Sequence, residues 1–194
     1  MSIHRRFALI LAVLWLWPAS LHAQSEALTE TFQQGRSLYE AGRYEQAIPF
    51  WRKALELGER KFGPEHPATV TLLNNLAVLY EKQGRYEAAE PLHKRALAVR
   101  EKVLGPDHPD VAQSLNNLAG LYYAQGRYEA AEPLYKRALA VWGKALGPDH
   151  PDVAQSLENF ATLLRMTGRD DEAVKLKARA KAIRAKHAKE NPAD

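Results

Sequence analysis

The chain has 194 residues, of which 46% are hydrophobic and 26% charged, and its formal net charge is +4. This length and composition fit an ordinary globular domain and exclude wholesale disorder. Cysteine is absent, which excludes disulfides, thiolate nucleophiles, iron–sulfur clusters and cysteine-ligated zinc.

The first 23 residues have the pattern of a secretory signal peptide. The basic stretch MSIHRR precedes an apolar run from Phe7 to Trp17, which is shorter than the roughly 20 residues that span a bilayer. Cleavage after Ala23 makes Gln24 the first residue of the mature chain. We therefore expect an exported protein, periplasmic or secreted, with no stable membrane span after cleavage. Retention of the segment as an anchor is the alternative.

The remaining sequence is periodic. Four Gly-Arg pairs recur at a constant spacing, beginning at Gly42, Gly84, Gly126 and Gly168. Residues 66–107 and 108–149 are identical at about 30 of 42 positions, and such self-similarity indicates a stacked repeat protein. The predicted repeats are residues 24–65, which are degenerate, followed by 66–107, 108–149 and 150–194.

Within a repeat, the apolar residues follow helical spacing. Leu115, Leu118, Ala119 and Tyr122 lie at i, i+3, i+4 and i+7, which places them on one face of a helix. A second helical pattern follows Gly126, formed by Tyr128, Ala131, Tyr135, Ala138, Leu139 and Trp142. Glycine after the first pattern is typical of a helix end. Each repeat is therefore predicted to be a pair of helices.

The stretch LGPDHPDVAQSL occurs at residues 104–115 and again at 146–157, and its residues suit a connection between helices. Gly105 ends one helix, and Pro109 suits the first turn of the next, where its missing N–H costs nothing. Asp107 or His108 can cap that start by accepting a hydrogen bond from the backbone. This architecture accounts for the repeated loop without any catalytic role.

Catalytic and metal-binding interpretations of the same loop are disfavoured. His66, His108 and His150 stand in successive repeats, about one helix diameter or 10 Å apart, so they cannot share an ion held at about 2.1 Å. A hydrolase that uses Ser114 and His108 lacks a nucleophile turn and an oxyanion-stabilising donor set. We therefore expect no metal, no cofactor and no enzymatic activity.

The residues of the third repeat also carry a family resemblance. The pattern is formed by Leu118, Ala119, Tyr122, Gly126, Ala131 and Tyr135. It resembles the tetratricopeptide repeat, and in particular the 42-residue repeats of kinesin light chain type. The resemblance covers about residues 27–185 and weakens in the last repeat, where Asp170 replaces the tyrosine that follows Gly-Arg.

This resemblance implies an all-α fold, a right-handed α-solenoid of about four helix-turn-helix repeats that ends in a basic capping helix. It also implies that the first helix of each pair lines a concave groove, and that the protein is an interaction scaffold whose partner is a protein or peptide. The main alternative is an accessory or self-associating subunit that uses the edges of its repeat stack. An enzyme is the less favoured third class.

The candidate partner-binding residues lie opposite the buried face of each first helix. They are Arg36, Tyr39, Asn74, Asn75, Lys82, Gln113, Asn116, Asn117, Tyr123, Asn159 and Arg165. Asn75, Asn117 and Asn159 recur once per repeat, and in relatives that bind extended peptides asparagines at matching places hold the ligand backbone, since a primary amide both donates and accepts. Bracing of neighbouring helices is the alternative role. Acidic and basic residues are mixed on this face, which leaves the charge of the ligand open.

The C-terminal segment is basic. From Lys175 onward it has seven Lys or Arg against two acidic residues. Acidic residues at its start and basic residues near its end suit the dipole of a terminal capping helix. Weak contact of this helix with an anionic surface is a second hypothesis. Nucleic acid is not an expected partner, because no groove-reading motif is present.

Overall fold

The computed structural model describes residues 25–191, which contain eight α-helices and, within that range, no strand. The helices are α1 (25–40), α2 (Tyr44–Phe62), α3 (Pro67–Glu81), α4 (Tyr86–Leu104), α5 (Pro109–Ala124), α6 (Tyr128–Ala145), α7 (Pro151–Met166) and α8 (Asp170–Glu190). The predicted signal peptide lies outside the described residues. The helices form two compact units, one ending at Gln83 and the other beginning at Gly84.

The predicted all-α class is confirmed, and the helix starts follow the period of the sequence. Helices α3, α5 and α7 each begin at a proline that follows a histidine. The Nδ1 atom of each histidine accepts a hydrogen bond from a backbone N–H in the first turn; for His108 the donor is Asp110 N, at 3.1 Å. The histidine is therefore the cap, whereas Asp107 pairs with Lys144. An accepting Nδ1 requires the neutral imidazole.

Gly126 closes the turn between α5 and α6. Its φ angle is +73°, a left-handed conformation that residues with a Cβ rarely adopt. Gly126 N donates to Tyr123 O at 2.9 Å, and Arg127 N donates to Tyr122 O at 2.8 Å. These two bonds satisfy carbonyl groups at the end of α5, so the helix ends where the sequence predicts.

In the first unit, Trp51 of α2 is the centre of the packing against α1. The rings of Phe32 and Tyr39 stack on it, with centroids at 6.1 and 5.3 Å. Gly35 lies beneath the indole, and a Cβ at this position would come within 2.2 Å of Trp51 Cδ1. Glycine is therefore required at residue 35 for α1 and α2 to approach this closely.

In the second unit, α5 to α8 share one apolar core. It contains Val111, Ala112, Leu115, Ala138, Val141, Trp142, Val153, Ala154, Leu157, Ala180 and Ile183. The predicted inward face of α5 is confirmed, because Leu115, Leu118, Ala119 and Tyr122 are all buried. Helix α8 buries only Ala173, Ala180 and Ile183, so most of its surface is polar. Among residues 25–191, no helix combines the length and apolar character needed to cross a membrane.

Candidate partner-binding surface

The predicted asparagines lie partly exposed on the first helices. Asn74 and Asn75 lie on α3, Asn116 and Asn117 on α5, and Asn159 on α7, and all five are half-buried. This placement keeps the side-chain amides at the boundary between the helix packing and solvent. Such amides can hold part of a ligand backbone while they remain oriented by the protein.

An amide network orients the asparagines of the second unit. Gln113 Nε2 donates to Asn117 Oδ1 at 2.8 Å, and one repeat later Gln155 Nε2 donates to Asn159 Oδ1 at 3.2 Å. Asn159 Nδ2 also approaches Asn116 Oδ1 of α5 at 3.4 Å. The last contact joins α7 to α5, which is the kind of contact that the alternative bracing role of Asn75, Asn117 and Asn159 requires. It also fixes the direction in which these partly exposed amides point.

Four of the remaining candidate side chains, Arg36, Tyr39, Tyr123 and Arg165, have contacts within their own unit. Arg36 pairs with Glu40 at 2.7 Å, and Tyr39 packs on Trp51 and on Tyr44. Tyr123 packs against Tyr128 with ring centroids 5.7 Å apart, and Arg165 Nε lies 3.8 Å from Asp170 Oδ1. Lys82 is exposed just beyond α3. The two tyrosines therefore contribute to the helix turns as well as to the surface.

The arginine of the Gly-Arg pair ties successive repeats together in the second unit. Arg127 donates to Glu90 of α4 at 2.7 Å, and its guanidinium lies 4.0 Å from the ring centre of Tyr122. Arg169 makes the equivalent bonds to both carboxylate oxygens of Glu132, at 2.8 and 2.9 Å. Arg169 and Lys136 hold the pKa of Glu132 below its ordinary value. The motif that marks the turn in the sequence therefore also connects neighbouring helix pairs.

Two of the basic residues on α8, Arg184 and Lys186, form ion pairs with acidic residues of the protein. Arg184 makes a two-pronged ion pair with Glu158 at 2.8 Å and also donates to Gln155 Oε1 at 3.0 Å. Lys186 pairs with Asp149 at 2.6 Å. Arg184 lowers the pKa of Glu158 by its hydrogen bonds and charge. Glu158 and Gln155 therefore hold α8 against α7.

The buried Ser114 has a charged hydrogen-bond partner, whereas the equivalent Ser156 of the next repeat has no partner. Arg100 Nη1 of α4 donates to Ser114 Oγ at 2.8 Å and to the carbonyl of Asp110 at 3.0 Å. Burial lowers the pKa of this arginine. Ser156 occupies the same place one repeat later, but its buried Oγ has no hydrogen-bond partner. The sequence contained a sign of this difference, because Trp142 stands where the previous repeat has Arg100.

Comparisons with known proteins agree with the repeat architecture. The tetratricopeptide repeat family matches residues 25–102, 71–142 and 111–186. The structure is similar to that of BtubC (BKLC) from P. vanneervenii, with a TM-score of 0.74 and 27% identity, covering 82% of this chain and 64% of that one. The chain thus spans about two thirds of the length of BtubC.

A kinesin light chain-like protein from Podosopora anserina with nearly identical TPR-like repeats is similar in fold, with a TM-score of 0.70 and 22% identity, covering 95% of this chain and 91% of that one. A single-substitution variant of that protein gives a TM-score of 0.73 at 22% identity, covering 96% and 92%. No curated protein matches the sequence significantly. Because the family match extends over residues 25–186, the chain belongs to the tetratricopeptide repeat family.

Proposed function

We propose that this chain is an exported, non-enzymatic scaffold that binds a protein or peptide segment along the exposed face of its first helices. Tetratricopeptide repeats generally bind proteins or peptides, and their members are typically scaffolds rather than enzymes. Binding to a preformed surface spares the receptor the entropic cost of ordering. Export rests on the signal-like pattern of residues 1–23.

The observation that supports this proposal best is the oriented amide network on α5 and α7. Asn117 and Asn159 each accept from a glutamine one turn earlier, so the amide nitrogen of Asn117 points away from that bond. Both side chains are half-buried. A fixed and partly exposed row of amides can pair with the alternating N–H and C=O groups of an extended backbone.

The test is a capture experiment on an envelope extract with the form that begins at Gln24. The binding variant carries Asn75, Asn117 and Asn159 all replaced by Ala. The control carries Glu45, Glu87 and Glu129 replaced by Ala, which removes three polar side chains, also one per repeat, from the second helices. We expect partners that the unsubstituted protein captures to be lost from the asparagine variant and kept by the control. Retention of the same partners by both variants would place binding elsewhere.

Two other parts of the proposal have their own tests. N-terminal sequencing of the protein from the exporting organism should begin near Gln24, and a soluble cytosolic product that begins at Met1 or Ser2 would contradict export. Replacing His108 and His150 together by Ala should leave hydrolytic assays of the purified protein unchanged. Loss of an activity in this variant, with its folding retained, would favour an enzyme.

The second candidate function is an accessory subunit that associates through the end of its repeat stack. It is favoured by two exposed apolar side chains at the last helix pair, Met166 and Val174, which are 56% and 66% exposed. Sedimentation of the form that begins at Gln24 separates the two functions. A mass that rises with concentration, and that returns to the monomer in a Met166→Gln, Val174→Gln variant, would favour this second candidate.

A further inference from the structure

The last helix, α8, carries a concentration of positive charge that the other second helices do not have. From Lys175 to Lys189 it contains seven Lys or Arg residues and no acidic residue. The equivalent stretches of α2, α4 and α6, which are residues 49–63, 91–105 and 133–147, have four, four and three basic residues. The charge is therefore a property of the end of the repeat stack rather than of the repeat itself.

Three of these lysines are free to meet a partner. Lys175, Lys181 and Lys189 are exposed, and none of them forms an ion pair or a hydrogen bond within residues 25–191. By helical spacing they lie on the side of α8 that faces away from the buried Ala180 and Ile183. We call this side the outer side of α8. The first and last of these lysines are 14 residues apart, or about 21 Å along the helix axis.

A capping role alone does not account for this charge. Lys181 stands where α4 and α6 have Leu97 and Leu139, which pack partly buried against the core of the second unit. The end of a repeat stack needs polar side chains at such positions, but either sign of charge satisfies that need. Bases at i and i+4, such as Lys175 and Arg179, repel each other and weaken the helix. A bound anion would offset this repulsion.

The chemical type of the free bases indicates which anion they suit. The protein itself holds two arginines of α8, because Arg184 pairs with Glu158 and Arg179 donates to Pro148 O at 3.4 Å. The bases on the outer side are lysines, whose ammonium groups are point charges on flexible stems. A fixed anion site favours the rigid fork of arginine instead. Flexible charges spread along one side of a helix suit an array of mobile phosphate groups.

We propose that the outer side of α8, with Lys175, Lys181 and Lys189, binds the surface of a bilayer that contains anionic phospholipids. The negative potential of such a surface attracts lysines that come within about a Debye length of it. Val174 is 66% exposed on the same side, but the residues between the lysines there are alanines. The helix therefore lacks the bulky apolar stripe of an inserting helix, and the contact stays at the level of the headgroups. It uses α8 alone and does not depend on the proposed function.

Vesicle sedimentation tests this contact. The probes are large unilamellar vesicles of phosphatidylcholine alone, or of phosphatidylcholine and phosphatidylglycerol in equal amounts. The protein begins at Gln24, because the apolar residues before it would bind lipid by themselves. We expect it to sediment with the anionic vesicles only. Raising the salt from about 0.1 M to about 1 M should release it, because the Debye length falls from about 10 Å to about 3 Å.

The informative variant replaces Lys175, Lys181 and Lys189 by Gln. Each lysine near an anionic bilayer contributes about a fivefold factor to binding, so we expect partition of this variant onto the anionic vesicles to fall at least about tenfold. Replacement of the same three residues by Arg should keep the binding, because the charge is retained. The fold should be kept in both variants, since the three side chains are exposed and make no bonds within residues 25–191, and circular dichroism checks this.

The matched control replaces Arg52, Lys53 and Arg60 by Gln, which removes the same charge from exposed positions of α2. It should bind the anionic vesicles almost normally. Equal loss of binding in the control and in the α8 glutamine variant would overturn the inference, because net charge would then be responsible. Full binding by the α8 glutamine variant, or equal sedimentation of the parent with both kinds of vesicle, would overturn it as well.

A soluble polyanion separates a bilayer from an acidic protein segment as the ligand of this side. Polyglutamate is added to the anionic vesicles at an equal concentration of negative charge. We expect the parent to remain on the vesicles, because a bilayer presents many headgroups to the three lysines at once. Transfer of the parent to polyglutamate, in a form that the α8 glutamine variant does not bind, would assign the outer side of α8 to an acidic protein segment and refute the inference.

Discussion

Ser114 and Ser156 allow one interaction to be measured in a matched pair of variants. Both serines are fully buried, both lie in the sequence PDVAQSL, and they occupy the same position of successive repeats in one compact unit. Ser114 accepts a hydrogen bond from Arg100, whereas Ser156 Oγ has no partner. Replacement of each by Ala removes the same atom from the same helix position. The difference between the two variants therefore reports the environment rather than helix propensity.

The expected free energies of unfolding follow from these environments. A hydrogen bond to a charged group contributes about 1.5–3 kcal/mol. Because Arg100 is partly exposed and keeps its bond to Asp110 O, we expect Ser114→Ala to lose about 1–2 kcal/mol. A buried hydroxyl without a partner costs about 1–3 kcal/mol, so Ser156→Ala should be neutral or more stable by up to about 1 kcal/mol. The two variants should differ by about 2 kcal/mol.

Urea unfolding followed by circular dichroism measures this difference, and thermal midpoints provide a check. For a chain of this size, about 2 kcal/mol corresponds to roughly 4–8 °C between the two midpoints. Equal destabilisation by the two substitutions would refute the reasoning, because it would mean that Arg100 adds nothing or that Ser156 has an unseen partner. A third variant, Arg100→Met, removes the donor and should make the effect of Ser114→Ala vanish in a double-mutant cycle.

Two further predictions concern the caps and the ties between repeats. His108→Ala should lose about 1 kcal/mol of unfolding free energy because Asp110 N loses its acceptor, and His108→Asn should restore most of it; urea midpoints that fall equally in both variants would contradict the capping role. Arg169 and Lys136 hold the pKa of Glu132 below its ordinary value. The ion pairs of Glu132 therefore contribute fully to the free energy of unfolding above the ordinary carboxyl pKa of about 4.3, and this contribution is lost as the pH falls below that value. Glu132→Gln should therefore cost about 0.5–1 kcal/mol at pH 7 and progressively less on acidification, and an unchanged difference between parent and variant from pH 7 to pH 3 would refute this pairing.

The helix pairs could be predicted from the sequence because their causes are local. Pro109 and Gly126 act through their own backbone geometry, and the spacing from Leu115 to Tyr122 reports which face is buried. His108 was one of two predicted caps, and the structure identifies it as the one that binds Asp110 N. Each of these features depends on residues within one helix or turn, so a single sequence contains the information.

The ties between repeats could not be derived in the same way. Arg127 and Glu90 are 37 residues apart, and their contact depends on how one helix pair stacks on the next. A regularity in the sequence still pointed to them, since Glu132 and Arg169 stand at the same spacing one repeat later. The sequence also left two roles open for the asparagines, and the contact between Asn159 and Asn116 supports bracing without removing either side chain from the surface.

Three equivalent pairs of positions, each formed by a residue of a second helix and a residue of the following first helix, show where the repeats differ. Gly58 lies against Leu72, where a Cβ would be 2.6 Å from Leu72 Cδ1; at the same positions one repeat later, Arg100 binds Ser114. The third pair in this register is Trp142 and Ser156, and here the hydroxyl has no partner.

The helix pairs keep the same backbone arrangement with all three residue pairs, because the glycines, prolines and alanines that the repeats share determine it. Other positions therefore differ between the repeats while the helix pairs keep the same arrangement. Phe32 stands where the second and third repeats have Asn74 and Asn116, and it lies on one of the first helices, which the proposed function assigns to a partner. Under the proposed function, differences between the copies, rather than the motif itself, would be the part of the sequence that encodes the chemistry of the partner.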